Sequence, residues 1–391
     1  MNADSERLSV ARDLMQAFAE DTGVTGRAPP RRYLWTDAFA VCNFLGLHTR
    51  SGERRWLDLA LMLVDQVHRV LGRHREDDER TGWLSGLPEE DGARHPTAGG
   101  LRIGKALPER GPAEPLEPRL EWDRDGQYFH YLTKWMHALD RVSVVTGDPT
   151  FNGWARELAL TAHERFNSGA GGGPRGLYWK MSIDLSRPLV DAMGQHDPLD
   201  GLITFAGLSA GPGQAEGPAL DDAVADLETM CEGQSWVTDD PLGLGGLLTD
   251  AFRLARLTAG GVLPRPSLLA HLLDAALVGL ARYRGRGDLG LPADHRLAFR
   301  ELGLGIGLAA AERLPSVMRR NPGAFGSGDR VFSRLRVLER YDGLRGEIEA
   351  CWLAPASREA ETWRDHGDIN AVMLATSLEP AGFLGLASGE R

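Results

Sequence analysis

Six segments of this 391-residue chain combine carboxylates with histidine or tryptophan, side chains suited to acid–base chemistry and to holding a polar ring. Every segment carries a carboxylate, three carry histidine and four carry tryptophan. Two carboxylates are the minimum equipment for cleaving a glycosidic bond, because one protonates the leaving oxygen while the other activates water or stabilises the transition state. The segments are residues 35–37, 122–128, 195–200, 236–241, 294–301 and 363–368.

Helix capping explains part of this pattern. Aspartate is a preferred N-cap residue, so any single acid of the set can serve only to begin a helix. Capping does not account for the doubled acids, the histidines or the tryptophans. Indoles beside loops either anchor the loop or stack on the C–H faces of a sugar. Seven of the 10 tryptophans lie in or beside predicted long loops: Trp35, Trp83, Trp122, Trp179, Trp236, Trp352 and Trp363.

Asp125 and the adjacent pair Asp239 and Asp240 are the leading candidates for the catalytic acid and base. The neighbouring charges of Asp239 and Asp240 favour a raised pKa for one of them, which suits a general acid. His366 completes the predicted catalytic set. The residues expected to bind substrate are Trp35, Asp37, Trp122, Asp123, Tyr128, His130, His196, Asp197, Asp200, Trp236, His295, Glu301, Trp363 and Asp368.

Apolar residues recur with helical spacing over almost the whole chain, which predicts helices throughout. Amphipathic helices alternate with helices that are apolar nearly all round, such as residues 241–257, as expected when one helix is enclosed by others. Twelve helices are predicted near residues 5–20, 35–48, 53–71, 125–146, 150–167, 199–210, 218–231, 241–258, 267–283, 296–314, 330–350 and 367–378.

The connections between these helices predict their arrangement. Long connections lead into every second helix, whereas the connections that leave it are mostly short, as in antiparallel hairpins. The long loops therefore share one face with the N-terminal ends of the enclosed helices. Six such hairpins predict an all-α fold, an (α/α)6 toroid, in which residues 1–391 form one domain with a long loop insertion at 72–124.

Two local patterns add detail to this fold. Apolar and polar residues alternate over 177–185 after a glycine-rich turn at 169–176, which predicts a strand in a small β-hairpin on the loop face. Glycines at 243, 245 and 246 and at 303, 305 and 307 are expected to let two enclosed helices pack closely rather than to bind phosphate.

Composition excludes several classes of partner. The net charge of −11 repels nucleic acid and anionic membranes, and no apolar run approaches the length of a membrane span. The polar start predicts a cytoplasmic protein without a signal peptide. Scattered Cys and His residues give no metal spacing, so no metal and no cofactor are expected. The expected partner is a small saccharide bound to a monomer or homodimer.

The alternating hairpins, the chain length and the Asp-, His- and Trp-rich helix starts resemble the six-hairpin glycosidase superfamily of (α/α)6 toroids. The resemblance implies a carbohydrate-active enzyme, since the superfamily includes glycoside hydrolases and, on a similar barrel, N-acylglucosamine 2-epimerase-like enzymes. Those epimerases use two histidines from late inner helices. Here His366 opens the last inner helix, but the eighth helix begins with Asp239 and Asp240, so hydrolysis is the first hypothesis.

Two alternatives remain at this stage. A sugar epimerase or isomerase would use His295 and His366 as its acid and base, and a non-catalytic helical toroid would bind or scaffold without turnover. Five basic residues would hold a uronate, sulfate or phosphate group on the sugar: Arg102, Lys105, Arg124, Arg296 and Arg364.

Overall fold

The computed structural model describes residues 3–26, 29–171, 175–211, 218–325 and 329–385, and most of them are helical. The α-helices are α1 (Ala3–Asp21), α2 (Leu34–Ser51), α3 (Arg54–Leu71), α4 (Glu89–Arg94), α5 (Pro118–Glu121), α6 (Phe129–Thr146), α7 (Pro149–Phe166), α8 (Asp197–Ala210), α9 (Asp221–Cys231), α10 (Pro241–Ala259), α11 (Pro266–Arg286), α12 (Ala298–Ala311), α13 (Leu314–Arg320), α14 (Asp329–Leu338), α15 (Asp342–Leu353), α16 (Pro355–Arg358), α17 (Glu361–Arg364), α18 (Gly367–Leu378) and α19 (Ala381–Leu384). Short 3-10 helices cover Ser168–Gly171, Asp288–Gly290, Ala293–His295, Pro322–Phe325 and Glu339–Tyr341.

Each predicted helix corresponds to a helix of the structure, with one split. The stretch predicted at 330–350 forms α14 and α15, which a 3-10 turn at Glu339–Tyr341 separates. The helix predicted from residue 125 begins only at Phe129, because Gln127 and Tyr128 form a strand. The predicted all-α class is confirmed: the described chain is built mostly of helices packed as hairpins, with one small sheet.

The chain folds as two compact units, residues 19–232 and residues 1–18 with 233–391. In residues 19–232, α2, α6 and α8 pack side by side in that order, and α3, α7 and α9 each pack on the helix before them. Helix α2 is buried without interruption from Leu34 to Leu45, whereas α3 buries one stripe and exposes Asp58 and Asp65. The predicted alternation of enclosed and amphipathic helices is present here.

The other unit repeats this arrangement with α10, α12 and α18 as its successive inner helices. Helix α11 packs on α10, and α15 packs on α12. Glycines allow α10 and α12 to touch through their backbones: a Cβ at Gly245 would lie 2.0 Å from the Gly303 carbonyl oxygen. A Cβ at Gly307 would lie 2.5 Å from the Gly245 carbonyl oxygen, which confirms the predicted close packing for Gly245, Gly303 and Gly307.

The β-structure is a three-stranded antiparallel sheet with the order β1 (Gln127–Tyr128), β2 (Lys180–Met181) and β3 (Pro188–Val190). The strand predicted over 177–185 is regular only at β2, and residues 172–174 of the turn before it lie outside the described residues. β1 ends where α6 begins, so this sheet fixes the direction from which the chain enters the helix.

The segment at 72–124 contains α4 and α5 and sends apolar side chains inward, among them the buried Trp83, Leu101 and Ile103. Ile103 joins it to neighbouring elements, since its N–H donates to Gly126 O (2.8 Å) and its carbonyl accepts from Leu34 N (3.0 Å). Among the described helices, none is both long and apolar enough to cross a membrane.

Candidate functional site

The start of α6 places three rings together. Tyr128 ends β1 in an extended conformation, and His130 and Tyr131 follow in the first helical turn. The Tyr128 and His130 rings are stacked with centroids 5.4 Å apart, and Tyr131 meets both edge-on at 5.1 and 4.8 Å. This change from strand to helix is what directs these three aromatic side chains into one cluster.

Rings from three other segments extend this cluster. Trp179 lies 5.2 Å from Tyr128, and the half-exposed Trp122 lies 4.9 Å from Trp179. Tyr33 shares a 2.7 Å hydrogen bond between its hydroxyl and that of Tyr131. We name as the aromatic cluster the residues Tyr33, Trp35, Trp122, Tyr128, His130, Tyr131 and Trp179.

Asp197, in the first turn of α8, faces His130. The His130 Nδ1 atom and the Asp197 Oδ1 atom are 3.9 Å apart, which is too long for a hydrogen bond. His130 Nδ1 and Asp197 Oδ2 are buried and have no hydrogen-bond partner within the described part of the chain. A buried polar atom without a partner costs about 1–3 kcal/mol, so two together mark a place where a ligand or water completes the site.

Burial drives the pKa values of this pair in opposite directions. Burial, reinforced by the nearby Asp200, raises the pKa of Asp197 to about 7. Burial, reinforced by the Lys134 charge, lowers the pKa of His130 to about 4. Between these values the imidazole is neutral and able to accept a proton, while the carboxyl is protonated and able to donate one.

Gly194 allows the Asp197 carboxyl to lie where it does. A Cβ at Gly194 would be 2.4 Å from Asp197 Oδ2 and 2.6 Å from Oδ1, so a larger residue would collide with both carboxyl oxygens. The Asp197 backbone N–H also donates to the Gly194 carbonyl (3.1 Å). The turn before α8 therefore packs closely against the carboxyl and buries it.

Asp200 lies one turn further along α8 in a different environment. Its Oδ1 accepts from the Lys134 ammonium (2.7 Å), and its Oδ2 accepts from the Thr133 hydroxyl. Both donors come from α6 and favour an ionised carboxylate. Asp197 and Asp200 thus differ in their surroundings although they share one helix, whereas the sequence pattern predicts the same substrate-binding task for both.

The structure corrects the prediction for Asp125. This residue is fully buried, and its Oδ2 accepts from Arg102 (2.6 Å) and Arg75 (3.4 Å). Its Oδ1 accepts from the backbone N–H groups of Gly104 and Gly126, both at 3.0 Å. With both oxygens occupied, Asp125 fixes the loop around Gly104 to β1 instead of meeting a substrate.

Asp239 and Asp240 also differ from their prediction, because each carboxylate is engaged separately. Asp240 caps α10 by accepting from Gly243 N (2.9 Å) and forms an ion pair with Arg300. Asp239 is half-exposed and pairs with Arg286 at 3.1 Å. Helix capping, which is a simpler role than catalysis, therefore accounts for Asp240.

The remaining predicted residues of 233–391 lie in several environments. Glu301 is buried in a two-point ion pair with Arg296 and accepts from the Trp352 indole (2.8 Å). His295 and His366 are both exposed, and the His366 ring meets Phe299 edge-on at 5.5 Å. The others are the buried Trp236, the buried Trp363 stacked on Trp352, and Asp368 in the first turn of α18.

In residues 19–232 the other predicted side chains lie near the cluster or support it. Asp37 is buried, accepts from Tyr33 N (2.9 Å) and lies 3.6 Å from Arg32, so it holds the start of α2. Trp35 packs on Phe39. Asp123 is exposed beside Trp122, and His196 is the residue before α8.

Four residues of this site are not among the predicted catalytic and substrate-binding residues: Tyr33, Tyr131, Trp179 and Gly194. Tyr33 lies two residues before Trp35, and Tyr131 follows His130, so closeness to predicted residues is the signal that would have found them. Gly194 has no such signal. No group of three or more His, Cys, Asp or Glu residues arranged to hold a metal is found among the described residues.

Two solved structures of sugar epimerases are similar to this chain. No family model and no curated protein matches the chain. A sugar epimerase from a ruminal bacterium is similar to it at 9% identity and a TM-score of 0.46, over 87% of this chain and 86% of that chain. Cellobiose 2-epimerase from Spirochaeta thermophila is similar at 12% identity and a TM-score of 0.49, over 95% and 98%. We therefore infer function from the contacts within residues 19–232.

Proposed function

We propose that this protein is a carbohydrate-active enzyme that binds a sugar at the aromatic cluster and transfers protons through His130 and Asp197. The observation that carries the proposal is the buried pair of polar atoms, His130 Nδ1 and Asp197 Oδ2, which find no protein partner in the described residues. They lie beside rings that offer flat apolar faces and hydroxyl groups, the combination suited to a sugar.

The reaction that this pair supports best is isomerisation next to a carbonyl group. Neutral His130 takes a proton from the carbon beside the carbonyl, and protonated Asp197 gives its proton to the carbonyl oxygen, which yields an enediol. For isomerisation, His130 then returns its proton to the neighbouring carbon while the Asp197 carboxylate takes the hydroxyl proton. His130 Nδ1 and Asp197 Oδ1 are 3.9 Å apart, so both groups can reach the same side of the sugar. The transfer of a proton between neighbouring carbons requires this arrangement.

The experiment is incubation of the protein with reducing monosaccharides and disaccharides in D2O. We expect exchange of the hydrogen beside the carbonyl, seen by NMR, with a product of otherwise unchanged composition. Asp197→Asn and His130→Gln should each lower the rate by about 10²-fold or more, since each removes one proton-transfer group.

His366→Gln is the matched control for the histidine variant. His366 is exposed and lies in residues 233–391, so its replacement should leave the exchange rate unchanged. Loss of activity in this variant alone would instead favour the predicted use of His295 and His366. Exchange that persists in both Asp197→Asn and His130→Gln would exclude the proposed pair.

Glycoside hydrolysis is a second candidate, favoured by the contrast between Asp197 and Asp200. Burial keeps the Asp197 carboxyl protonated, whereas the Asp200 carboxyl is paired with the Lys134 ammonium, and hydrolysis likewise uses two carboxyl groups in unlike surroundings as its acid and its base. Cleavage in H2¹⁸O would place the label in the product. Because this mechanism does not need the imidazole, hydrolysis should survive His130→Gln, whereas isomerisation should not.

A further inference from the structure

Lys105 brings a positive charge to the aromatic cluster. Its Nζ atom lies 5.8 Å from the centre of the Trp122 ring and 5.9 Å from that of Tyr128, so the ammonium faces two rings of the cluster. In the described ranges, no hydrogen bond or ion pair to this Nζ is found. An ammonium carries three N–H donors, and the groups that lie against this one are aromatic faces.

The other cations of this region are committed to protein partners. Lys180 is buried beneath Tyr128 and uses all three donors, on Glu121 O, Glu121 Oε1 and Arg124 O at 2.7–2.8 Å. Arg102 and Arg75 bind Asp125. Two further ion pairs join Arg110 to Glu121 and Arg124 to Glu114.

The acids near Lys105 leave its charge largely uncompensated. Asp125 and Glu121 are each neutralised by two cations, and Asp123 is exposed to water. Burial lowers the pKa of Lys105, with the Lys180 charge adding to the effect. An anion placed against the ammonium would offset this unfavourable burial.

The backbone holds Lys105 in place. Its carbonyl accepts from Arg75 (2.7 Å), and the preceding residue, Gly104, donates its N–H to Asp125 (3.0 Å). Gly104 has a φ of +93° and lies so close to Arg32 that a Cβ there would be 2.2 Å from the Arg32 carbonyl oxygen. Lys105 therefore projects from a fixed loop rather than from a surface helix.

We infer that the sugar bound at this site carries a carboxylate, as a uronic acid does, and that Lys105 is the residue that recognises it. This inference rests on the proposed function. A single ammonium supplies one positive charge, which matches one carboxylate. A phosphate dianion would call for a second cation or a guanidinium fork, and the arginines named above are occupied.

The test is calorimetric titration of the full chain with matched pairs of ligands: glucose and glucuronate, galactose and galacturonate, and the two hexose 6-phosphates. We expect one uronate to bind about tenfold more tightly than its neutral hexose at low salt, and this preference to shrink as salt is added. Lys105→Met keeps an apolar chain on the rings but removes the charge, so it should abolish the preference and leave hexose affinity unchanged.

Lys105→Arg serves as the control. It keeps the charge and should retain most of the preference for the uronate.

The outcomes separate this inference from the proposed function. Equal binding of hexose and uronate, or a preference that survives Lys105→Met, overturns the role of Lys105 but leaves the sugar site intact. Tighter binding of a 6-phosphate than of the uronate overturns the carboxylate assignment. If none of the sugars binds, the inference and the proposed function fail together.

Discussion

The Asp197 carboxyl is buried between Gly194 and His130, and this burial determines its charge near neutral pH. A carboxyl that water cannot reach keeps its proton, and a neutral imidazole beside it does not take that proton away. Both groups are therefore neutral before the reaction, and the pair holds one proton on Asp197 while His130 is free to accept another. The proposed reaction requires one residue that donates a proton and one that accepts a proton, and Asp197 and His130 meet these two requirements.

The raised pKa of Asp197 predicts how stability changes with pH. The unfolded chain loses this proton near pH 3.8, whereas the folded chain keeps it until about pH 7. The folded state binds more protons between these values, so this residue makes the protein less stable as the pH rises through them. Relative to the wild type, the free energy of unfolding of Asp197→Asn should rise by up to about 4 kcal/mol between pH 4 and pH 8.

Urea denaturation of both proteins at several pH values measures this difference. Asp65→Asn, which alters an exposed carboxylate on α3, is the control and should show little dependence on pH over the same range. A constant difference between Asp197→Asn and the wild type would contradict the raised pKa.

Asp125 gives a second prediction for a single residue. Replacing it with asparagine leaves the buried Arg102 without its 2.6 Å carboxylate partner. Breaking a buried ion pair in this way costs about 3–5 kcal/mol, so Asp125→Asn should lower the free energy of unfolding by that amount. Asp65→Asn, which breaks an exposed pair with Arg69, should change it by less than about 1 kcal/mol in the same denaturation experiment.

Among the secondary-structure elements, α10 and α12 approach each other closely enough for their backbones to touch. The missing side chains at Gly245, Gly303 and Gly307 permit this contact, so the spacing of these inner helices is set by glycine. Neighbouring Gly246 also lies in α10 but has open space where a Cβ would be. The two adjacent glycines therefore have different tasks although the sequence alone presents them alike.

We expect Gly245→Ala to destabilise the protein by several kcal/mol, since its Cβ would meet the Gly303 backbone, which has little room to move. Gly246→Ala is the matched control and should raise the free energy of unfolding by about 0.5–1 kcal/mol through helix propensity. Thermal and urea denaturation compare the two. If the two variants changed the free energy of unfolding equally, the close contact between α10 and α12 would not depend on glycine at position 245.

For the whole molecule, the periodicity of apolar residues is sufficient to place the long helices but not short ones such as α4, α13 and α19. Whether a helix is apolar along one stripe or on all faces depends only on its own residues. The pattern repeats over enough residues in α2, α3 and α10 to be recognised in the sequence. The site is harder to predict, because the contacts of Asp125 with Arg75 and Arg102 join residues whose spacing has no period. The contact between Trp122 and Trp179 similarly depends on the path of two loops.

The prediction that residues 1–391 form a single domain can be tested by scanning calorimetry. A single domain should give one transition whose calorimetric enthalpy equals the van 't Hoff enthalpy. Two separate transitions, or a van 't Hoff enthalpy well below the calorimetric value, would show that the two compact units unfold independently.

Trp122 is 52% exposed at the edge of the aromatic cluster, whereas Trp56, Trp135, Trp236 and Trp352 are fully buried. Indole fluorescence shifts towards shorter wavelength when water around the ring is replaced by an apolar surface. A saccharide that covers Trp122 would therefore change the emission spectrum of the unlabelled protein. Ligands can thus be identified by intrinsic tryptophan fluorescence without attaching a dye.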